Sequence, residues 1–303
     1  MRQLRPVELL VLGYFGISAV LHVTLGDPAR DGPTAVVTCV LPATLLLAVI
    51  RLELRFRGRF RLSALRFACP LLMLTPMYSS AARTVLYLHG HYVDEAVNAW
   101  EKSAFGVFPN VAMGAVHSPL LTEIVTICYF SYYGSFLIPF FLYARGRKPL
   151  AERYMFAALL VLLTCYLSFM FVPLAGPAAA LPREFLAGRP DGYLITDLQN
   201  AIMAAFDPPG TCFPSPHVAG AWITLLTLRR HVPRLVRYAL GAATAGLTVA
   251  VVYDWYHYAS DALAGFLVAL AVHAVTGRGT AFRPPPGQPV PDRPVPLTVA
   301  EQP

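Results

Sequence analysis

The sequence predicts an all-α fold: a polytopic membrane helix bundle of about eight transmembrane helices, each of roughly 20 residues. Three observations lead there. The 303 residues are 56% hydrophobic and only 14% charged, against about 45–50% and about 25% in ordinary soluble domains. The apolar residues are spread through long separate runs rather than gathered in one core-like block. Basic residues crowd every second connection between those runs, the pattern that orients a chain across a bilayer. The net charge of +7 therefore reads as arginine-rich cytoplasmic loops, not as a nucleic-acid surface.

The elements follow in order. Arg2 and Arg5 precede a run over 7–25 that superficially resembles a signal peptide; no small-residue cleavage site follows, so it reads as a retained first helix. The second run, 34–50, ends in Arg51, Arg55, Arg57, Arg59, Arg61 and Arg66, a basic cytoplasmic connection. The third, 67–88, carries Arg83 near its outer end. Outside it, 93–105 sets Val97, Trp100, Ala104 and Phe105 among Asp94, Glu95, Glu101 and Lys102, which fits a helix lying on the membrane surface or an ordinary solvent-facing one.

The fourth run, 120–143, leads to Arg145, Arg147, Lys148 and Arg153, and the fifth, 154–174, to a long outer loop over 175–215. The sixth, 216–228, is short and followed by Arg229, Arg230, Arg234 and Arg237; runs 235–253 and 258–276 complete the set. Both termini then lie in the cytoplasm, and the connections holding the chemically varied residues lie outside. The chain divides into two N-terminal helices with their basic loop (1–66), a membrane core (67–276) and a Pro-rich disordered cytoplasmic tail (277–303). The five cysteines lack metal-ligand spacing and read as small buried hydrophobes, apart from Cys212 in a polar loop.

Ionisable residues at span boundaries are functional candidates, and three converge on the outer side. His257 and Asp261 are four residues apart, on one helix face. The aspartate can hydrogen-bond one imidazole nitrogen, fixing the tautomer and leaving the other as a nucleophile. In Pro214-Ser215-Pro216-His217, Ser215 suits an N-cap and Pro216 the first helical position. Free amides and the helix dipole there form an anion site, with His217 placed to protonate a leaving oxygen.

Phe213-Pro214-Ser215-Pro216-His217-Val218-Ala219, followed by Tyr256-His257-Tyr258-Ala259-Ser260-Asp261-Ala262-Leu263-Ala264-Gly265, resembles the type 2 phosphatidic acid phosphatase superfamily. Within it the sequence is most similar to the inositol phosphorylceramide synthase-like branch. Weaker likeness runs through Tyr78, Arg83, 101–106, 129–133 and 172–177. The resemblance implies that six of the spans form a phosphatase-like core, and that the substrate is a membrane lipid phosphate or phosphodiester. It implies that His257 attacks phosphorus to give a phosphohistidine, that Asp261 orients it and that His217 protonates the departing oxygen. Water or an alcohol acceptor such as inositol then takes the phosphoryl group, with no metal or other cofactor. The family's usual arginine clamp is not recognisable: Ala175 and Val251 stand where relatives carry arginine. Arg83 is the expected replacement, with Arg183 and Arg189 as weaker alternatives and Ser215 as a further phosphate contact.

Three other readings compete. A CDP-alcohol phosphotransferase is set aside because 27–32 lacks the required aspartate spacing. A zinc hydrolase on Asp254, His257 and Asp261 would be EDTA-sensitive. A lipid or small-molecule transporter would use the histidines as proton relays.

Overall fold

The computed structural model describes residues 4–181 and 190–278, which are helical apart from short connections. The first hairpin shows why each element starts where it does. Helix α1 (Pro6–Leu25) opens with proline at its first position, and the Glu8 side chain accepts from the Arg5 amide at 2.8 Å. Asp27 caps α2 (Pro28–Ala35), which continues through a π-turn at Val36–Val40 into α3 (Leu41–Arg55). Residues 29–55 together form one candidate span.

The run expected as one span over 67–88 is two shorter helices, α4 (Phe60–Leu72) and α5 (Leu74–Thr84), divided at Met73. Pro76 has no amide to bond the Leu72 carbonyl, so the ladder breaks there. Two polar-side helices follow, α6 (Asp94–Phe105) and α7 (Pro109–Gly114). A similar break separates α8 (Pro119–Ser135) from α9 (Ile138–Ala144), which meet at 48°. Pro139 leaves the Ser135 carbonyl free, and the Tyr154 hydroxyl donates to it at 3.1 Å.

The remaining helices are α10 (Lys148–Ser168), α11 (Pro177–Ala180), α12 (Leu194–Phe206), α13 (Pro216–Leu228), α14 (Arg234–Tyr253) and α15 (Ala259–Arg278). Among the described residues, five helices are long and apolar enough to cross a membrane, or six if α8 and α9 make one bent span. The expected eight included the divided α4–α5 run and α13, which has only 13 residues. Helix α13 is nonetheless central, packed by α10, α14, α15 and α8. Outward faces carry exposed Leu9, Ile17, Val20, Leu263 and Leu267, as lipid contact requires.

The two ends of the bundle differ in chemistry. At one end Arg5 meets Glu152, Arg147 donates to the His231 carbonyl, and Arg66 bridges Glu8 (2.6 Å) and Glu53 (2.9 Å). Arg66, expected among solvated loop arginines, is 4% exposed because it ties α4 to α1 and α3. We call this the basic end. The other end of α1 leads to the loops that hold His217 and His257.

Candidate active site

At the histidine end, Ser215 caps α13 by accepting from the Val218 amide at 3.3 Å, and its own amide donates to the Asp261 carbonyl at 3.1 Å. The sequence grammar of Pro214 to His217 is thus realised, and the hydroxyl oxygen of fully buried Ser215 serves as the cap. Pro216 lacks an amide, which leaves that of His217 as the first-turn donor for an anion. The start of α13 lies against α15 because position 265 is glycine: a Cβ there would meet the Ser215 carbonyl at 2.5 Å.

His257 is positioned by the turn that joins α14 to α15. Its amide and that of Tyr256 both donate to the Val251 carbonyl, and Trp255 takes a left-handed backbone (φ 64°). A left-handed tryptophan is strained, and such strain persists only where surrounding contacts impose it. Here Asn110 imposes it: its side-chain amide donates to the Val252 and His257 carbonyls at 2.8 and 3.0 Å, and its own carbonyl accepts from the Trp255 indole.

Helix α6 clamps the same segment. Asp94 accepts from the Ala175 and Gly176 amides (2.8 and 2.9 Å) and from the Tyr258 hydroxyl (2.9 Å). Two turns along the helix, Glu101 accepts from the Ser260 amide at 2.7 Å. Both acids are buried, while Trp100 and Phe105 are exposed. Residues 94–105 thus form the expected helix, and its protein-facing side combines the buried acids with Val97, which packs against the cluster of Leu174, Cys212 and Tyr258. Burial holds the Glu101 carboxyl above its ordinary value, against the opposing Ser260 bonds.

The candidate atoms form a chain of close approaches. Asp261 Oδ2, which also accepts from the Tyr258 amide, lies 3.6 Å from His257 Nδ1. His257 Nε2 lies 3.3 Å from His217 Nδ1. Both His257 and Asp261 are buried, yet His257 Nδ1 and Asp261 Oδ1 make no hydrogen bond within 3.5 Å. The His217 ring is enclosed by Tyr129 and Tyr132, with ring centroids at 4.9 and 4.8 Å. Asp261 therefore faces one nitrogen of His257 and His217 faces the other.

The remaining candidates fall elsewhere. Tyr78 faces the loop before α13, but Arg83 is five residues on, turned by roughly 140° at 100° per residue. It is exposed and lines an open basin with Arg30, not the groove that reaches His217. Arg183 and Arg189 lie outside the described residues. Asp254 does not join His257 and Asp261; its carboxylate accepts from Thr126 at 3.2 Å, on α8. Cys212 takes that place, and its sulfur, an imidazole nitrogen of His257 and an Asp261 oxygen lie within 4.8 Å of one another, a set able to hold a metal ion.

Asn110, Asp94 and Asp207 were not singled out from the sequence. Asp207 follows α12 and accepts from Tyr78 and from Thr211 (3.1 Å). The one available signal for it was its place before Pro208-Pro209-Gly210, a turn leading into the first histidine motif.

No curated protein and no solved structure matches the chain. A family profile described as the PAP2 superfamily matches residues 95–275, which take in the Asp94-clamped turn, both histidine motifs and all of α8 to α14. That match covers more than half of the chain, and the protein belongs to the PAP2 superfamily.

Proposed function

We propose that the protein is a membrane lipid phosphatase or phosphotransferase that works through a covalent phosphohistidine. The superfamily is generally one of phosphatases, which supports phosphatase-type activity on lipid phosphates. The observation that carries the mechanism is the line from Asp261 through His257 to His217, buried, with polar atoms left unbonded. His257 Nε2 attacks phosphorus while Asp261 holds Nδ1–H and stabilises the positive charge that develops on the ring. His217 gives a proton to the departing oxygen. In the second step His217 takes a proton from water or an alcohol, which attacks phosphorus and frees His257. The His217 amide and the α13 dipole add charge stabilisation.

The charge asymmetry of the bundle also supports an extracytoplasmic site, because the arginine-rich turns gather at the end opposite the histidines. The motif spelling favours the inositolphosphotransferase-like branch, with a hydroxylated acceptor such as inositol in place of water. The test is incubation of purified protein with lipid phosphates and phosphodiesters, with and without inositol, read by mass spectrometry. Release or transfer of a phospho-group by wild type and its loss in His257→Ala is the expected result. Equal turnover in both preparations contradicts it.

A further inference from the structure

Asp207 stands where three cavities meet. An open basin of about 990 Å³ is lined by Arg30, Asp31, Arg83, Tyr87 and Tyr92 as well as Asp207. A largely apolar groove of about 570 Å³ runs from Leu71, Leu72 and Phe140 to His217 and passes Tyr78 and Asp207. A smaller pocket of about 270 Å³ lies between Gly176, Asn200, Cys212, Tyr256 and Asp207. A lipid whose chain fills the groove and whose phosphorus lies at His217 must send its headgroup past Asp207, because both other cavities open there.

The carboxylate at this junction is half committed. Oδ1 accepts from the Tyr78 hydroxyl and lies 3.1 Å from the Thr211 hydroxyl, and those two hydroxyls are 2.8 Å apart. Oδ2 makes no hydrogen bond among the described residues. Burial holds the carboxyl above its ordinary value, against the lowering effect of the bonds from Tyr78 and Thr211. Among the described residues lining the groove and the smaller pocket there is no lysine or arginine, and Asp207 is their shared acid.

Resting on the phosphohistidine reading, we propose that Asp207 is a specificity-determining residue that reads the headgroup. Its Oδ2 accepts a hydrogen bond from a donor, hydroxyl or ammonium, on the group esterified to the scissile phosphate. The same carboxylate disfavours a phosphomonoester. A monoester carries about 1.5 to 2 negative charges at neutral pH, whereas a diester carries one, so repulsion beside the carboxylate is greater for the monoester. The substrate is then a phosphodiester with a donor-bearing headgroup rather than a bare phosphate.

The experiment compares kcat/KM for four lipids with identical acyl chains: phosphatidylglycerol, phosphatidylethanolamine, phosphatidylmethanol and phosphatidic acid. In wild type the donor-bearing diesters exceed phosphatidylmethanol by on the order of tenfold, and phosphatidic acid is poorest. Glycerol against ethanolamine shows which donor the carboxylate prefers. In Asp207→Asn, which keeps the shape and an acceptor for Tyr78, phosphatidic acid gains on the diesters by on the order of tenfold. Phosphatidic acid as the best wild-type substrate, or a ranking unchanged in Asp207→Asn, overturns the assignment of Asp207 alone. Turnover of none of the four contradicts the catalytic reading and the headgroup proposal with it.

Discussion

Two buried polar networks sit at opposite ends of this bundle, and they are finished to different degrees. At the basic end Glu8, Glu53 and Arg66 close on one another: the guanidinium reaches both carboxylates, and Glu8 also takes the Arg5 amide. At the histidine end the pair His257–Asp261 is equally buried, but an imidazole nitrogen and a carboxylate oxygen have no hydrogen bond. A satisfied buried network fixes packing, whereas each unsatisfied buried group calls for another explanation. On the proposed function the explanation is chemistry: the unfinished network is held in place by the bonds of Asn110, Asp94 and Glu101 around it.

The comparison can be broken most sharply by His257→Ala, which removes the nucleophile and should reduce turnover to background, measured per folded protein, with little change in Tm. His217→Ala should lower kcat by about 10²–10⁴-fold on a lipid ester, the range for losing a general acid. It should recover most of that loss on a substrate with a good leaving group, which needs no proton; failure to recover would remove His217 from the acid role. Arg66→Met at the other end should do the reverse. It strands Glu8, which is 0% exposed, costing about 3–5 kcal/mol of stability in thermal unfolding while kcat of the folded fraction holds. Adding Glu8→Leu should return most of that stability.

EDTA separates two uses of the histidine end. The proposed mechanism predicts unchanged turnover, and loss restored by zinc would instead assign Cys212, His257 and Asp261 to a metal. The smallest effect concerns Glu101. Its carboxyl is held above the ordinary 4.5, so folding favours its protonated form. Its share of stability is present below the ordinary value and is lost as pH rises through the raised one. Glu101→Gln should flatten that part of the pH–stability curve, and an unchanged slope would contradict the burial argument.

Much of this was legible in the sequence because its causes are local. The long apolar helices, the Ser215 cap and the four-residue spacing of His257 and Asp261 depend on neighbours in the chain. The breaks at Met73 and after Ser135 hinge on single prolines inside apolar runs, which a hydropathy reading passes over. The frame around the site was hidden for a different reason: Asp94 meets Ala175 across 81 positions and Asn110 meets His257 across 147. The same distance explains Arg83, whose place in the third run said nothing about which helix face it takes.

The central claim is that the unfinished network is a reaction centre built on His257. Rapid quenching of the enzyme during turnover, followed by peptide mass spectrometry under conditions that preserve phosphohistidine, tests it directly. The account predicts an acid-labile phosphoryl or phospho-headgroup adduct on His257 in wild type and none in His257→Ala. A full-rate enzyme whose adduct lies on another residue, or whose His257→Ala variant still turns over, would contradict it.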